Sequence, residues 1–117
     1  MLRTEIYAKL EIEGLHQWTD CPIVEVDYLK HLHRHNFGII AYADVSHDDR
    51  DIEFIEFKHK IHEYLNSKYY NEQYKCCVFG QMSCEMIAKE LILKFELSRC
   101  EVSEDGENGA IVVATYD

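Results

Sequence analysis

Three histidines stand at alternate positions, His31, His33 and His35, in the run Lys30-His31-Leu32-His33-Arg34-His35. Side chains two residues apart on an extended strand project from the same face, so two of the set can offer imidazoles to one metal ion. A third ligand must then come from a neighbouring strand or loop, and His16 lies just past the end of the preceding extended segment. Three imidazoles that leave a fourth position open describe a catalytic-type zinc site. Imidazole suits Zn2+ better than Mg2+ or Ca2+, which prefer oxygen donors. On spacing alone a histidine-rich exposed edge without metal fits as well, and that alternative stays open. His31 reads as a surface or substrate-contacting residue. His47, His59 and His62 read as solvent-facing.

The elements that must position these residues follow from periodicity. Residues 4–13 alternate, with Ile6, Ala8, Leu10 and Ile12 against Glu5, Tyr7, Lys9, Glu11 and Glu13, which predicts a strand ending at Gly14. A loop holding Trp18, Asp20 and Pro22 follows. A second strand is expected over about 32–45, with Phe37, Ile39, Ala41, Ala43 and Val45 on its apolar face. Asp48-Asp49-Arg50-Asp51 offers turn and N-cap chemistry for a helix over 52–65, which can run on to Tyr69. Residues 66–81 read as a polar and aromatic connection. Ser83 then caps a second helix, with Glu85 in its first turn and an apolar stripe of Ile87, Ala88, Leu91, Ile92 and Phe95. Two short strands, 98–104 and 109–116, close the chain as a hairpin around Asp105-Gly106-Glu107-Asn108-Gly109. The order β-β-α-α-β-β predicts an α+β fold: a four-stranded antiparallel sheet with both helices on one face.

The bulk numbers bound the function. A chain of 117 residues suits one domain spanning 1–117 with one core. Its net charge is −10, and the cluster at Lys30–His35 is its one cationic stretch, so nucleic acid is not an expected partner. No segment approaches the ~20 apolar residues of a membrane span. The cysteines, Cys21, Cys76, Cys77, Cys84 and Cys100, are odd in number and form no C-x-x-C pair. That argues against a disulfide framework and for a reducing, cytoplasmic setting.

Four segments resemble one family. Leu32-His33-Arg34-His35-Asn36-Phe37 resembles the L-H-G-H-N-Y/F motif of the 6-pyruvoyltetrahydropterin synthase and 6-carboxytetrahydropterin synthase family. Glu53-Phe54-Ile55-Glu56-Phe57-Lys58 is similar to its D-F-x-x-L-K at the start of the first helix. Ser83-Cys84-Glu85-Met86-Ile87-Ala88 is similar to T-A-E-N-L-A at the start of the second. Val102-Ser103-Glu104, followed by Gly109-Ala110, resembles V-x-E-T-x-x-x-x-A in the last hairpin. The chain also looks like short bacterial and phage members of the same fold, through Ser46–Phe54 and Ser103–Ala110. The resemblance implies a T-fold, in which subunits join their sheets into a barrel with sites between them, hence a homo-oligomer. It implies zinc held by His16, His33 and His35, and Glu104 gripping the amide and amino edge of a pterin.

The departures bear on catalysis. The family's catalytic cysteine sits shortly before the first motif histidine, whereas Cys21 is twelve residues before His33. The family's Asp-His pair, as in L-D-H-x-x-L, is missing from Leu65–Asn71, and the glycine of H-G-H is Arg34. The expected function is a zinc-dependent carbon–oxygen lyase acting on a dihydroneopterin triphosphate-like substrate, with Cys21, His31 and Asp51 as candidates for the missing general base. The alternative is a module that binds or sequesters a purine, pterin or nucleotide without turnover. There Arg34, Lys30 and His31 would meet phosphates, and Trp18 or Tyr28 would stack on the ring. A purely structural protein would leave the four ordered motifs unexplained.

Overall fold

The computed structural model describes residues 1–115. Its first element, β1 (Thr4–His16), lies antiparallel to β2 (His33–Val45) over the full length of both, from Thr4 opposite Val45 to His16 opposite His33. The alternation that predicts these strands also sets their faces. Ala8, Leu10 and Ile12 are buried with Phe37, Ile39, Ala41 and Ala43, while Glu5, Lys9 and Glu11 line the other side. Between the strands the chain makes a short 3-10 segment, Val24–Lys30, where the sequence reading has only a loop.

Helix α1 (Phe54–Tyr69) buries Phe57, Ile61 and Leu65. Its cap is Glu53, whose carboxylate accepts from the N–H groups of Ile55 and Glu56 at 3.0 and 2.9 Å. Of the turn and cap roles expected of Asp48-Asp49-Arg50-Asp51, the structure shows the turn and not the cap. Asp51 accepts from the Ser46 N–H and hydroxyl, at 2.8 and 2.9 Å, and closes the turn that leaves β2.

The connection expected over 66–81 contains two more strands, β3 (Tyr70–Asn71) and β4 (Cys76–Gly80). Helix α2 (Cys84–Phe95) follows, capped by the Ser83 hydroxyl on the Met86 N–H at 3.2 Å, and buries Cys84, Ile87, Ala88 and Leu91. Strands β5 (Arg99–Glu104) and β6 (Asn108–Val113) form the expected hairpin. The last residue of the strand expected over 109–116 lies outside the described residues.

The α+β class stands, but the sheet is six-stranded and mixed, in the order β3-β4-β1-β2-β5-β6, rather than four-stranded and antiparallel. β1, β2, β5 and β6 form the antiparallel part, and β4 adds to β1 in parallel beside Gly14, Leu15 and His16. Cys76-Cys77-Val78-Phe79-Gly80 shows no alternation, and its apolar content is half cysteine, so period two does not reveal it. Both helices share one core with one face of the sheet, joining Phe57, Ile61 and Leu65 to Ile87, Leu91, Val102 and Phe37. The five cysteines are all buried free thiols. No described helix is long and apolar enough to cross a membrane.

Gly14 matters at the end of this sheet. A Cβ there would stand 2.6 Å from the Phe79 ring and 3.1 Å from that of Phe37. Its absence lets the two rings pack edge to face, 5.2 Å apart, directly beneath the histidines.

Candidate metal centre

The register that pairs His16 with His33 also sets Gly14 opposite His35, so the three imidazoles gather at one end of β1 and β2, on the helix side of the sheet. One ring nitrogen from each lies within 4.8 Å of the others. The rings stand edge to face, 4.5–5.1 Å apart by centroid, and the Phe37 ring lies beneath His16 and His35 at 5.1 and 5.6 Å.

Each ring is oriented through its Nδ1. His16 Nδ1 lies 2.9 Å from the Met82 carbonyl oxygen, and His33 Nδ1 lies 2.8 Å from that of His31. His35 Nδ1 lies 2.7 Å from the Asp105 carboxylate. A carbonyl or carboxylate oxygen can only accept, so each Nδ1 carries a hydrogen, and in the neutral ring Nε2 keeps its lone pair. His16 Nε2 and His35 Nε2 are buried and make no hydrogen bond. Orphaned buried acceptors are rare, and these two face a third imidazole. A metal ion answers that arrangement, and acceptors on the far ring nitrogen are the usual setting of a ligating histidine. The donor set fits zinc, with three imidazoles and room for a fourth ligand.

Electrostatics favour a neutral His16 ring. Burial lowers the His16 pKa and outweighs the opposing pull of the Met82 carbonyl and Glu104. Asp105 is held below the usual carboxylate range by the Asn36 N–H, at 2.8 Å, and by His35. The Glu104 carboxylate lies against the trio, with Oε2 3.1 Å from His16 Nε2 and Oε1 3.6 Å from His35 Nε2. The Cys84 thiol, 3.8 Å from Glu104 Oε2, is pushed up to about 12 by burial and by that carboxylate, so it stays protonated.

The trio opens into a groove of about 530 Å³, whose lining includes His16, His33, Trp18, Met82, Cys84, Met86 and Glu104. Trp18, half-exposed, forms part of the wall and is tied through its backbone N–H to the Leu29 carbonyl. The wider depression beside α1, about 810 Å³ around Lys58, His59, His62 and Glu63, shares no lining residue with it.

The structure thus brings together His16, His33, His35, Glu104 and Trp18. It does not bring in the three general-base candidates. Cys21 is buried with its thiol toward the Ile23 and Val26 carbonyls, at 3.7 and 3.8 Å. His31 is exposed and contributes its backbone carbonyl to His33. Asp51 sits past the far end of β2, where it also meets His47 at 3.4 Å. That end is roughly 35–40 Å from His33 at about 3.3 Å per residue along the strand. Arg34 falls between His33 and His35, projects from the opposite face, and bonds Glu13 at 2.5 Å. Lys30 and Tyr28 are exposed on the 3-10 segment.

Sequence reasoning missed Asp105, Cys84 and the Met82 carbonyl. Asp105 had a usable signal: it follows Glu104 in a hairpin that must fold back beside Asn36. The Met82 carbonyl had none, because a backbone acceptor leaves no mark on residue type.

No family model matches the chain, and no curated protein matches it. Among solved structures it is similar to an uncharacterized protein of Wolinella succinogenes (WS1659), with a TM-score of 0.66 at 14% identity. The alignment covers 98% of this chain and all of the other. The two share a fold.

Proposed function

We propose that this chain is a zinc-dependent pterin-type lyase on a T-fold, similar in kind to the 6-pyruvoyl- and 6-carboxytetrahydropterin synthases and acting on a dihydroneopterin triphosphate-like substrate. The observation that carries the reading is the convergence of three imidazoles, each with Nδ1 already bonded, at one end of an open groove. His16, His33 and His35 would hold the ion through Nε2, the atom each leaves free. Bound there, zinc would supply Lewis-acid polarisation of a carbonyl or hydroxyl on the ligand's side chain.

The chain's own residues account for recognition. The Glu104 carboxylate can accept two N–H groups from the amide and amino edge of a ring, by charge-assisted hydrogen bonds. Trp18 presents an aromatic face, and Met82 and Met86 present thioethers that adapt to a flat apolar surface. The four antiparallel strands with both helices on one face support the T-fold, with β3 and β4 as an addition. β6 and β3 end the sheet with unpaired edges. We extend the proposal to a homo-oligomer in which a neighbouring copy abuts the groove.

One observation favours a second reading, in which the groove binds a pterin, purine or nucleotide without turnover. None of Cys21, His31 and Asp51 reaches it. Incubating zinc-loaded protein with dihydroneopterin triphosphate and following the pterin by chromatography separates the two. The lyase reading predicts a new pterin product and free triphosphate, both lost in His33→Ala. Tight binding without product establishes the second reading, and absence of both removes the pterin assignment.

A further inference from the structure

Glu104 stands closer to the histidines than a residue kept only for a ligand needs to. Its two oxygens face two different imidazoles, Oε2 at 3.1 Å from His16 Nε2 and Oε1 at 3.6 Å from His35 Nε2. Both nitrogens are buried and make no hydrogen bond, since each ring has committed its hydrogen to an acceptor at Nδ1. In the neutral rings two buried lone pairs therefore confront a carboxylate at the edge of the groove, its side chain 28% exposed. Such an all-acceptor cluster is unfavourable where its nitrogens have lost their water, and a shared cation converts it into an attraction.

Donors about 2.0–2.1 Å from one tetrahedral ion lie roughly 3.3–3.4 Å from each other, and each Glu104 oxygen lies near that distance from one imidazole, Oε2 from His16 and Oε1 from His35. The backbone at this point is pinned. Asp105, with a left-handed φ of 56°, donates its N–H to the Asn36 carbonyl and accepts from Asn36 N–H and His35 through its side chain. The set of donor atoms within 4.8 Å of one another holds the three imidazoles and not Glu104, so its side chain must turn toward His33 to join them, which it can do while its Cα stays in place.

We infer that Glu104 is the fourth metal donor of the ligand-free protein, closing a three-histidine, one-carboxylate site that the ligand opens by drawing Glu104 onto its own N–H groups. This rests on the zinc reading above and deepens it. One carboxylate cannot serve the ion and a ring edge at once, so recognition and opening are a single event. The ligand class follows: a flat ring with two adjacent N–H donors for Glu104, and an oxygen donor for the position Glu104 vacates. A small anion lacking the N–H edge leaves the site closed.

Cobalt in place of zinc tests this on the full chain. Wild-type protein loaded with Co2+ should show the intense visible bands of four-coordinate cobalt and change little on addition of azide. Glu104→Gln, and Glu104→Asp with its shorter reach, should lose band intensity and take azide about tenfold more tightly or better, through the opened position. Far-UV circular dichroism and melting of the same samples establish that they are folded. Equal azide affinity and identical spectra in wild type and both variants would overturn the inference and leave the zinc site standing. A folded wild-type chain that takes up no Co2+ would overturn both.

Discussion

Each imidazole of the trio is held by a different acceptor, and the three acceptors differ in what they contribute. The Met82 and His31 carbonyls fix ring orientation without net charge. Asp105 brings a full negative charge to His35 Nδ1 at 2.7 Å, which makes Nε2 a better donor. Losing that partner should weaken metal binding without removing a ligand. Asp105→Ala is expected to raise the zinc dissociation constant about 10–100-fold, and Asp105→Asn, which keeps one uncharged oxygen able to accept from His35, by less. Competition against a chromophoric chelator measures this, and unchanged affinity in the alanine variant would show that Asp105 serves the hairpin alone. At this scale the three-imidazole cluster was legible, because His-x-His on one strand face and a histidine closing the partner strand are features of residue type and spacing. The direction of Glu104 was not, because it depends on where β5 ends relative to Phe37.

At the scale of elements, one ionic cluster joins the helices that cover the site's sheet. Glu90 of α2 accepts from Tyr69 at 2.6 Å, Tyr64 at 2.8 Å and Lys68 at 3.1 Å, all from α1. Burial alone would raise the Glu90 carboxyl, but the hydrogen bonds from Tyr69, Tyr64 and Lys68 outweigh it and hold it below the usual range. A carboxyl that is harder to protonate in the fold adds stability above its unfolded pKa of ~4.3 and loses it as pH falls through the lower folded value. Glu90→Gln should therefore cost about 1–3 kcal/mol at pH 7, with the difference shrinking below about pH 4. Urea melts of both proteins across pH check it, and a pH-independent difference would contradict the ionic account. Two long strands, two helices and the final hairpin were readable from period and turn chemistry. β4 was not, because its pairing is parallel and joins segments about 60 residues apart, which no local pattern encodes. The α1 cap was misplaced for a related reason: Asp51 and Glu53 both suit capping, and the turn after β2 claims Asp51 first.

For the whole molecule, a net charge of −10 weighs against a polyanionic partner and leaves a small ligand open. The fold shared with the Wolinella protein at 14% identity carries no function with it, so the reading rests on the site. Everything proposed for the groove depends on the ion. Elemental analysis of protein purified without chelator, with wild type and His33→Ala side by side, addresses it directly. The account predicts about one zinc per wild-type chain and little or none in a variant that still melts as a folded protein. A folded wild-type chain that carries no zinc, and takes none up when it is supplied, would contradict it.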